Sequence, residues 1–329
     1  MNSISVVTGG AGFVGKRLVE ALRARGERVC SFDLAPPSHE GDVRGSIHDM
    51  AALSKAFEGA ASVFHLAGNA NLWSRNPHEF NKVNFEGTKT ALAAARGSGV
   101  QKFVHCSSLT TLVGKNTPIG LSSADETVRL HPDDMLGPYP RSKLLAEFEV
   151  ERAAAEGFDA VIAIPTEPLG EGDTSLTPPT KMILDFVNGK TPAYIDCILN
   201  FVSVDSLADG LVACRDKGER GERYLLGGEN LPLAELLTML SALTGRPMPK
   251  TKMPYAVALA AGAIDTRLVA ALTGKPPKAP LTGVRLAGRQ VSFSSVKAAH
   301  ELGWRAGELK PALGELLDWA LDNGLLKSV

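Results

Sequence analysis

The chain has 329 residues, with 35 basic and 36 acidic side chains and a formal charge of -1, so it offers no electrostatic footprint for nucleic acid. A hydrophobic content of 44% supports a full core and leaves room for two domains or one large α/β domain with an elaborated C-terminal part. Cys30, Cys106, Cys197 and Cys214 lack CxxC spacing, which suggests neither a metal site nor a disulfide framework; the chain enters its first strand without a signal-like segment and has no apolar run of ~18 residues, so a reducing cytoplasm is the expected setting.

The first expected strand is the β-branched run from Ile4 to Val7, and an apolar helical pattern (Val14, Leu18, Val19, Leu22) follows it. Between them lies Thr8-Gly9-Gly10-Ala11-Gly12-Phe13-Val14-Gly15, a glycine-rich turn between a strand and a helix. Gly9 permits the tight turn, Gly12 lets a pyrophosphate approach the backbone, and Gly15 lets the helix press close; the helix N-terminus supplies N–H groups to the anion. A dinucleotide cofactor is implied. Arg28–Asp33 reads as a second strand, and its terminal Asp33 lies about 20 residues past the glycines, where a carboxylate binds ribose and repels the extra phosphate of NADP. NAD is the expected form.

Further expected strands cover residues 61–66, 102–107 and 159–165, with helices over 78–98 and 139–156. This alternation predicts a parallel sheet with helices on both faces. After Pro165 the pattern changes to Pro and Gly with dominant helices, and 200–204 reads as the main extended element. The boundary divides a nucleotide-binding domain (1–165) from a smaller substrate region (166–329), parts of which can return to the main sheet.

Tyr139 and Lys143, four residues apart on one helix face, form a second constellation. An ammonium near the phenol lowers its pKa, so that Tyr139 can take or return the proton of a substrate hydroxyl, and Ser107-Ser108 at the end of the 102–107 strand can polarise the substrate oxygen. His65 and His105 fall within strands and read as packed side chains rather than ligands.

These residues resemble the extended short-chain dehydrogenase/reductase family over most of the chain. The resemblance implies a Rossmann-type doubly wound parallel sheet, an adenine-contacting segment at Gly41-Asp42-Val43, and a cofactor-passing strand end at His65-Leu66-Ala67-Gly68. It also implies a supporting Asn84 in Asn84-Phe85-Glu86-Gly87-Thr88, a catalytic pair Tyr139 and Lys143 that also binds the cofactor, and a nicotinamide-side loop that begins at Pro165. Aligning on the serine pair selects Ser108 as the catalytic hydroxyl, with Thr110 as the alternative. Within the family, residues 72–77, 183–190 and 225–230 resemble the hopanoid-associated sugar epimerase branch, and 281–287 with 293–295 the 3β-hydroxysteroid dehydrogenase/sterol decarboxylase branch. The resemblance further implies a homodimer built by pairing helices 78–98 and 139–156.

Three departures bear on substrate. Nucleotide-sugar members carry an Arg-Asp pair where this chain has Leu199-Asn200, so a diphosphate needs another cation, such as Arg285 or Arg289. The apolar stretch 253–272 reads either as a lid or membrane-surface helix or as a buried helix, and its few basic residues favour the buried one. Glu167 stands where related loops carry a small neutral residue, and the preferred reading turns it to solvent. The expected activity is reversible oxidation of a secondary alcohol on a sterol- or hopanoid-like lipid. A sugar epimerase and a redox-sensing binding module are the alternatives.

Overall fold

The computed structural model describes residues 4–326. In chain order the first half contains β1 (Ile4–Thr8), α1 (Phe13–Ala24), β2 (Arg28–Asp33), β3 (Val43–Arg44), α2 (Met50–Phe57) and β4 (Ala60–His65). α3 (His78–Phe80), a π-helical stretch over Asn81–Glu86 and α4 (Gly87–Gly97) then follow one another directly, ahead of β5 (Lys102–Cys106), α5 (Pro138–Ala155) and β6 (Ala160–Pro165). β1, β2, β4, β5, β6 and the helices over 78–97 and 138–155 agree with the sequence expectation to within a residue or two, whereas β3 and α2 lie outside it.

The second half adds β7 (Glu167–Leu169), α6 (Pro178–Val187), β8 (Ala193–Tyr194), β9 (Ile198–Ser203), α7 (Val204–Lys217), β10 (Arg223–Leu226), β11 (Glu229–Pro232) and α8 (Leu233–Thr244). It ends with β12 (Thr251–Lys252), α9 (Tyr255–Ile264), α10 (Ala270–Thr273), α11 (Leu281–Ala287) and α12 (Leu309–Asp322). Extended structure here goes beyond the main element expected over 200–204, and β10 is the segment of this half that returns to the main sheet.

The main sheet has seven strands in the order β10-β6-β5-β4-β1-β2-β3, and every pairing is parallel. It is a Rossmann-type doubly wound sheet. The order reverses between β1 and β4, which opens a crevice at their carboxyl ends. Strands covered on both faces read as continuous apolar runs, and all six residues of β6 are buried. Phe32, Leu53, Phe57, Phe103 and Ile162 belong to one core cluster. Val7, Leu18, Phe64, Leu211 and Tyr224 belong to another, in which α1 buries Leu18, Val19 and Leu22 through their i, i+1, i+4 spacing. A third cluster, with Ile183, Phe186, Leu237 and Leu313, holds the C-terminal region.

The stretch expected as a buried helix over 253–272 is helical from Tyr255 to Thr273 but largely exposed. In α9 only Ala258 and Gly262 are buried, while Val257, Ile264, Leu268 and Leu272 are exposed, Leu272 to 86%. The small residues make the docking face. A Cβ on Gly262 would stand 3.1 Å from Val284 Cγ2 of α11, so close packing selects Ala and Gly inward and turns the large side chains out.

Candidate active site

The glycine turn closes at the crevice. Gly9 has φ +73°, and a Cβ there would lie 2.7 Å from Ala67 N; one on Gly15 would lie 2.0 Å from Gly9 O, both backbone atoms that cannot yield. Gly12 is the N-cap of α1 and has no side chain to satisfy the first-turn N–H groups, which leaves them for an anion. Gly9, Gly12, Phe13, Val14, Gly15, Leu66 and Gly68 line one cleft together with Ser108, Tyr139, Lys143 and Pro165. Ala67 lies beneath Gly9, and its N–H donates to Thr8 Oγ1 at 3.3 Å. Because the cradle depends on absent side chains at close backbone approaches, these residues fit a dinucleotide pyrophosphate.

Asp33, Asp42 and Val43 border a neighbouring groove. Asp33 accepts from Ala11 N and Ala35 N, each at 3.0 Å, which pins the strand-end carboxylate beside the glycine turn. Asp42 is differently employed. Its carboxylate accepts from Arg23 Nη2 at 2.9 Å, Ser31 N at 3.1 Å and His39 N at 3.0 Å, which ties its loop to α1 and β2.

His65 and Asn84 buttress the floor. Thr88 Oγ1 donates to Asn84 O at 2.6 Å, so His65 Nε2, 3.1 Å from the same hydroxyl, is the donor, and Nδ1 accepts from Thr8 Oγ1 at 2.8 Å. Burial drives the His65 imidazole down to about 3, so it stays neutral in this packed role; His105, also buried, is lowered as well. Asn84 sits in the π-helical stretch. Its Oδ1 accepts from Asn69 N at 2.7 Å and its Nδ2 donates to Asn69 O at 3.0 Å and Ser142 Oγ at 2.9 Å, tying the strand-end loop to α5.

Tyr139 and Lys143 project from the first turns of α5, and Lys143 Nζ donates to Cys106 O at 2.7 Å. The expected lowering of the phenol by this ammonium is not what the chain alone produces. Burial pushes Tyr139 up to about 12, opposed by a hydrogen bond from Ser108, while burial also lowers Lys143. Thr110 Oγ1 donates to Ser108 Oγ at 3.1 Å, leaving the Ser108 proton for the phenol side. Ser107 is distinct: its hydroxyl is buried and donates to Glu147 Oε1.

Beyond Tyr139 and Ser108, which line both cavities, the cleft continues into a pocket walled by Leu72, Leu109, Val113, Ile198, Leu286 and Phe293. No Lys, Arg or His is among the described residues of this wall. Asn200 is committed to Gly228 and Asn230, Arg289 donates to Thr117 O and Lys115 O, and Arg285 reaches Leu136 O at 3.5 Å. Neither arginine replaces the missing diphosphate cation. Glu167 departs from its expected solvent-facing position: it lines the apolar pocket, its Oε2 is buried without a hydrogen-bond partner, and burial pushes the carboxyl up to about 8. The reason is β7, which pairs Glu167 with Phe201 of β9 and holds it inside.

Sequence reasoning missed Thr177 and Pro178, which line both cavities. Asp173 Oδ2 accepts from Thr177 N at 2.8 Å and Thr177 Oγ1 at 2.6 Å, folding the loop against α6. An Asp four residues before a Thr-Pro-Pro helix start was the available cue.

The profile of the NAD dependent epimerase/dehydratase family matches residues 5–227. The chain is 32% identical to the putative dihydroflavonol 4-reductase of Synechocystis sp., covering 98% of this chain and 96% of that protein. It is 30% identical to the sterol demethylase protein B of Methylococcus capsulatus, covering 98% and 99%. Among solved structures, the crystal structure of gox2253 superposes with a TM-score of 0.84 at 31% identity over 99% of this chain and 100% of that one. With the glycine cradle and the Tyr139–Lys143 pair at one cleft, these matches establish that the chain belongs to the NAD dependent epimerase/dehydratase family, as an NAD-dependent enzyme of the extended short-chain dehydrogenase/reductase type.

Proposed function

We propose that the enzyme interconverts a secondary alcohol and a ketone on a sterol- or hopanoid-like hydrocarbon frame. The observation that carries this reading is the pocket beyond Tyr139, apolar over most of its wall and without a cation among its described residues. A sugar diphosphate placed there would lose its water without gaining charge-assisted hydrogen bonds, whereas a hydrocarbon frame gains by burial. Similarity to sterol demethylase protein B supports the same class, as does 33% identity over 52% of this chain to the 3 beta-hydroxysteroid dehydrogenase/Delta 5-->4-isomerase of Mycobacterium tuberculosis.

Bound NAD supplies the hydride donor or acceptor and, when oxidised, a positive charge in the cleft. Ser108 holds the substrate oxygen through its hydroxyl, which Thr110 orients. Tyr139 carries its proton at neutral pH and donates it to a ketone oxygen; in the reverse direction it takes the alcohol proton once added positive charge lowers its pKa. Lys143, anchored on Cys106 O, keeps a cation in the cleft and binds the nicotinamide ribose. Asp33 and the glycine turn bind the other end of the cofactor.

Incubation with NAD and a panel of hydroxysteroids and hopanoid alcohols should form NADH. Turnover of a nucleotide sugar without net NADH, and none of the panel, would establish the epimerase reading instead.

The same reading includes two contacts. The exposed apolar side chains of α9 and α10 form the surface for peripheral lipid contact, tested by co-sedimentation with anionic vesicles. Pairing of α4 and α5 with a second copy gives the homodimer, tested by light scattering.

A further inference from the structure

Glu167 and Thr166 are an unusual pair of neighbours. Both line the apolar pocket, and Glu167 Oε2 and Thr166 Oγ1 are each buried without a hydrogen-bond partner. Buried polar atoms normally have partners, and no Lys, Arg or His among the described lining residues supplies one. The catalytic groups Ser108 and Tyr139 border the same pocket. Two orphaned oxygens in a hydrocarbon-lined wall match a ligand that carries its own oxygen to that spot.

We propose that Glu167, assisted by Thr166, is a specificity determinant: it receives a second, neutral oxygen function of the substrate, a hydroxyl or ketone other than the one that reacts. This inference rests on the hydrocarbon-frame reading above and adds to it a substrate with two oxygen functions. A protonated carboxyl donates to a ketone and accepts from a hydroxyl, so it serves either group. Burial keeps the proton on Glu167 at neutral pH, and its loss near 8 removes the donor and places a bare anion against the ligand.

Few ionisable groups confuse that titration. The Tyr139 phenol on the same pocket and the Cys197 thiol are both pushed up to about 12. Asp196, beside Cys197, is ion-paired with Lys252. Of the elements packed on β7, β9 carries no ionisable side chain, α6 pairs Lys181 with Asp185, and Asp205 of α7 pairs with Arg17. Lys310, Glu315 and Asp318 of α12 are exposed.

The test compares NAD-loaded wild type, Glu167→Gln and Glu167→Leu on a monohydroxy steroid hydrocarbon and on counterparts bearing a second oxygen as a ketone at different positions of the frame, the best of which is the hydroxyketone compared below. The wild type should prefer the hydroxyketone in kcat/KM by about tenfold or more, through KM. Glu167→Leu should erase the preference and Glu167→Gln should keep it, with melting curves verifying that both fold. Raising the pH from about 7 to about 9 should raise the wild-type KM for the hydroxyketone while leaving that of Glu167→Gln flat, which tests the idea even if the Leu variant does not fold. Equal preference in all three proteins, or the same pH response in wild type and Gln, overturns the inference while the hydrocarbon-frame reading stands. Failure of the wild type on every one of these steroids overturns the two together.

Discussion

Arg223 on β10 and Glu147 on α5 form an ion pair of 2.8 Å in which both side chains are buried, exposed to only 2% and 1%. Glu147 also accepts hydrogen bonds from Ser107 and Thr111, which flank Ser108, and Arg223 donates to Glu126 O and Val128 O. Removing one partner leaves an uncompensated charge in the interior, so Glu147→Ala should cost about 3–5 kcal/mol in urea denaturation. The double variant Glu147→Leu/Arg223→Met should cost less than the single one. A single variant as stable as the wild type would show the pair to be dispensable.

The hydroxyl relay at the site orders the catalytic variants. Tyr139→Phe should lower kcat by about 10²–10⁴-fold, as expected for loss of a general acid or base, without altering the melting temperature. Ser108→Ala should cost about 10²–10³-fold, and Thr110→Val only about fivefold, because Thr110 acts by orienting its neighbour. Steady-state kinetics on the best steroid decides the assignment. A larger loss for Thr110→Val than for Ser108→Ala would make Thr110 the donor.

Gly15→Ala forces a methyl group against Gly9 O, at 2.0 Å, and Gly10 Cα, at 2.8 Å. Overpacking of about 1–3 kcal/mol should appear as weakened NAD binding in titration calorimetry, if the displaced turn is the cradle proposed for the cofactor. Gly97→Ala, where a Cβ meets nothing within 4 Å, is the control and should leave binding as it is.

The buried imidazoles and the buried Glu167 carboxyl move stability with pH in opposite directions. His65, lowered to about 3, and His105 bind fewer protons folded than unfolded, so their contribution is present above about pH 6.5 and is lost as pH falls toward the folded values. Glu167, raised to about 8, does the reverse: its contribution is present below about pH 4.5 and is lost as pH rises through 8, by up to about 1.4 kcal/mol per pH unit. In thermal melts from about pH 5 to about pH 9, Glu167→Gln should gain on the wild type steadily from about pH 5 to about pH 8 and keep a constant difference above that. A difference between the two that does not change from about pH 5 to about pH 8 would mean that Glu167 ionises normally.

Much of the geometry of the candidate cofactor side was legible because its rules are local. A turn that needs Gly9 and Gly15 must write glycine into the sequence, Asp33 must end a strand, and Tyr139 and Lys143 must be four residues apart to share a helix face. The substrate side depends on distant segments. Glu167 reads as a loop residue until β9 pairs with it, and Ser107 differs from Ser108 only because Glu147, 40 residues away, claims one hydroxyl. Strand β10 was hidden by its first residue, since Arg223 is charged and finds its buried partner on α5. For α9 the composition was apolar enough for burial, yet the side-chain sizes, with Gly and Ala on one face, decided which way it turned.

The place of β10 at the end of the main sheet has a consequence for how the molecule is made. β6 is buried along its whole length, and its outer neighbour is not synthesised until residues 223–226. A nascent chain emerging from the ribosome therefore carries an unpaired apolar edge for nearly sixty residues of elongation, a stretch open to wrong pairing until β10 docks.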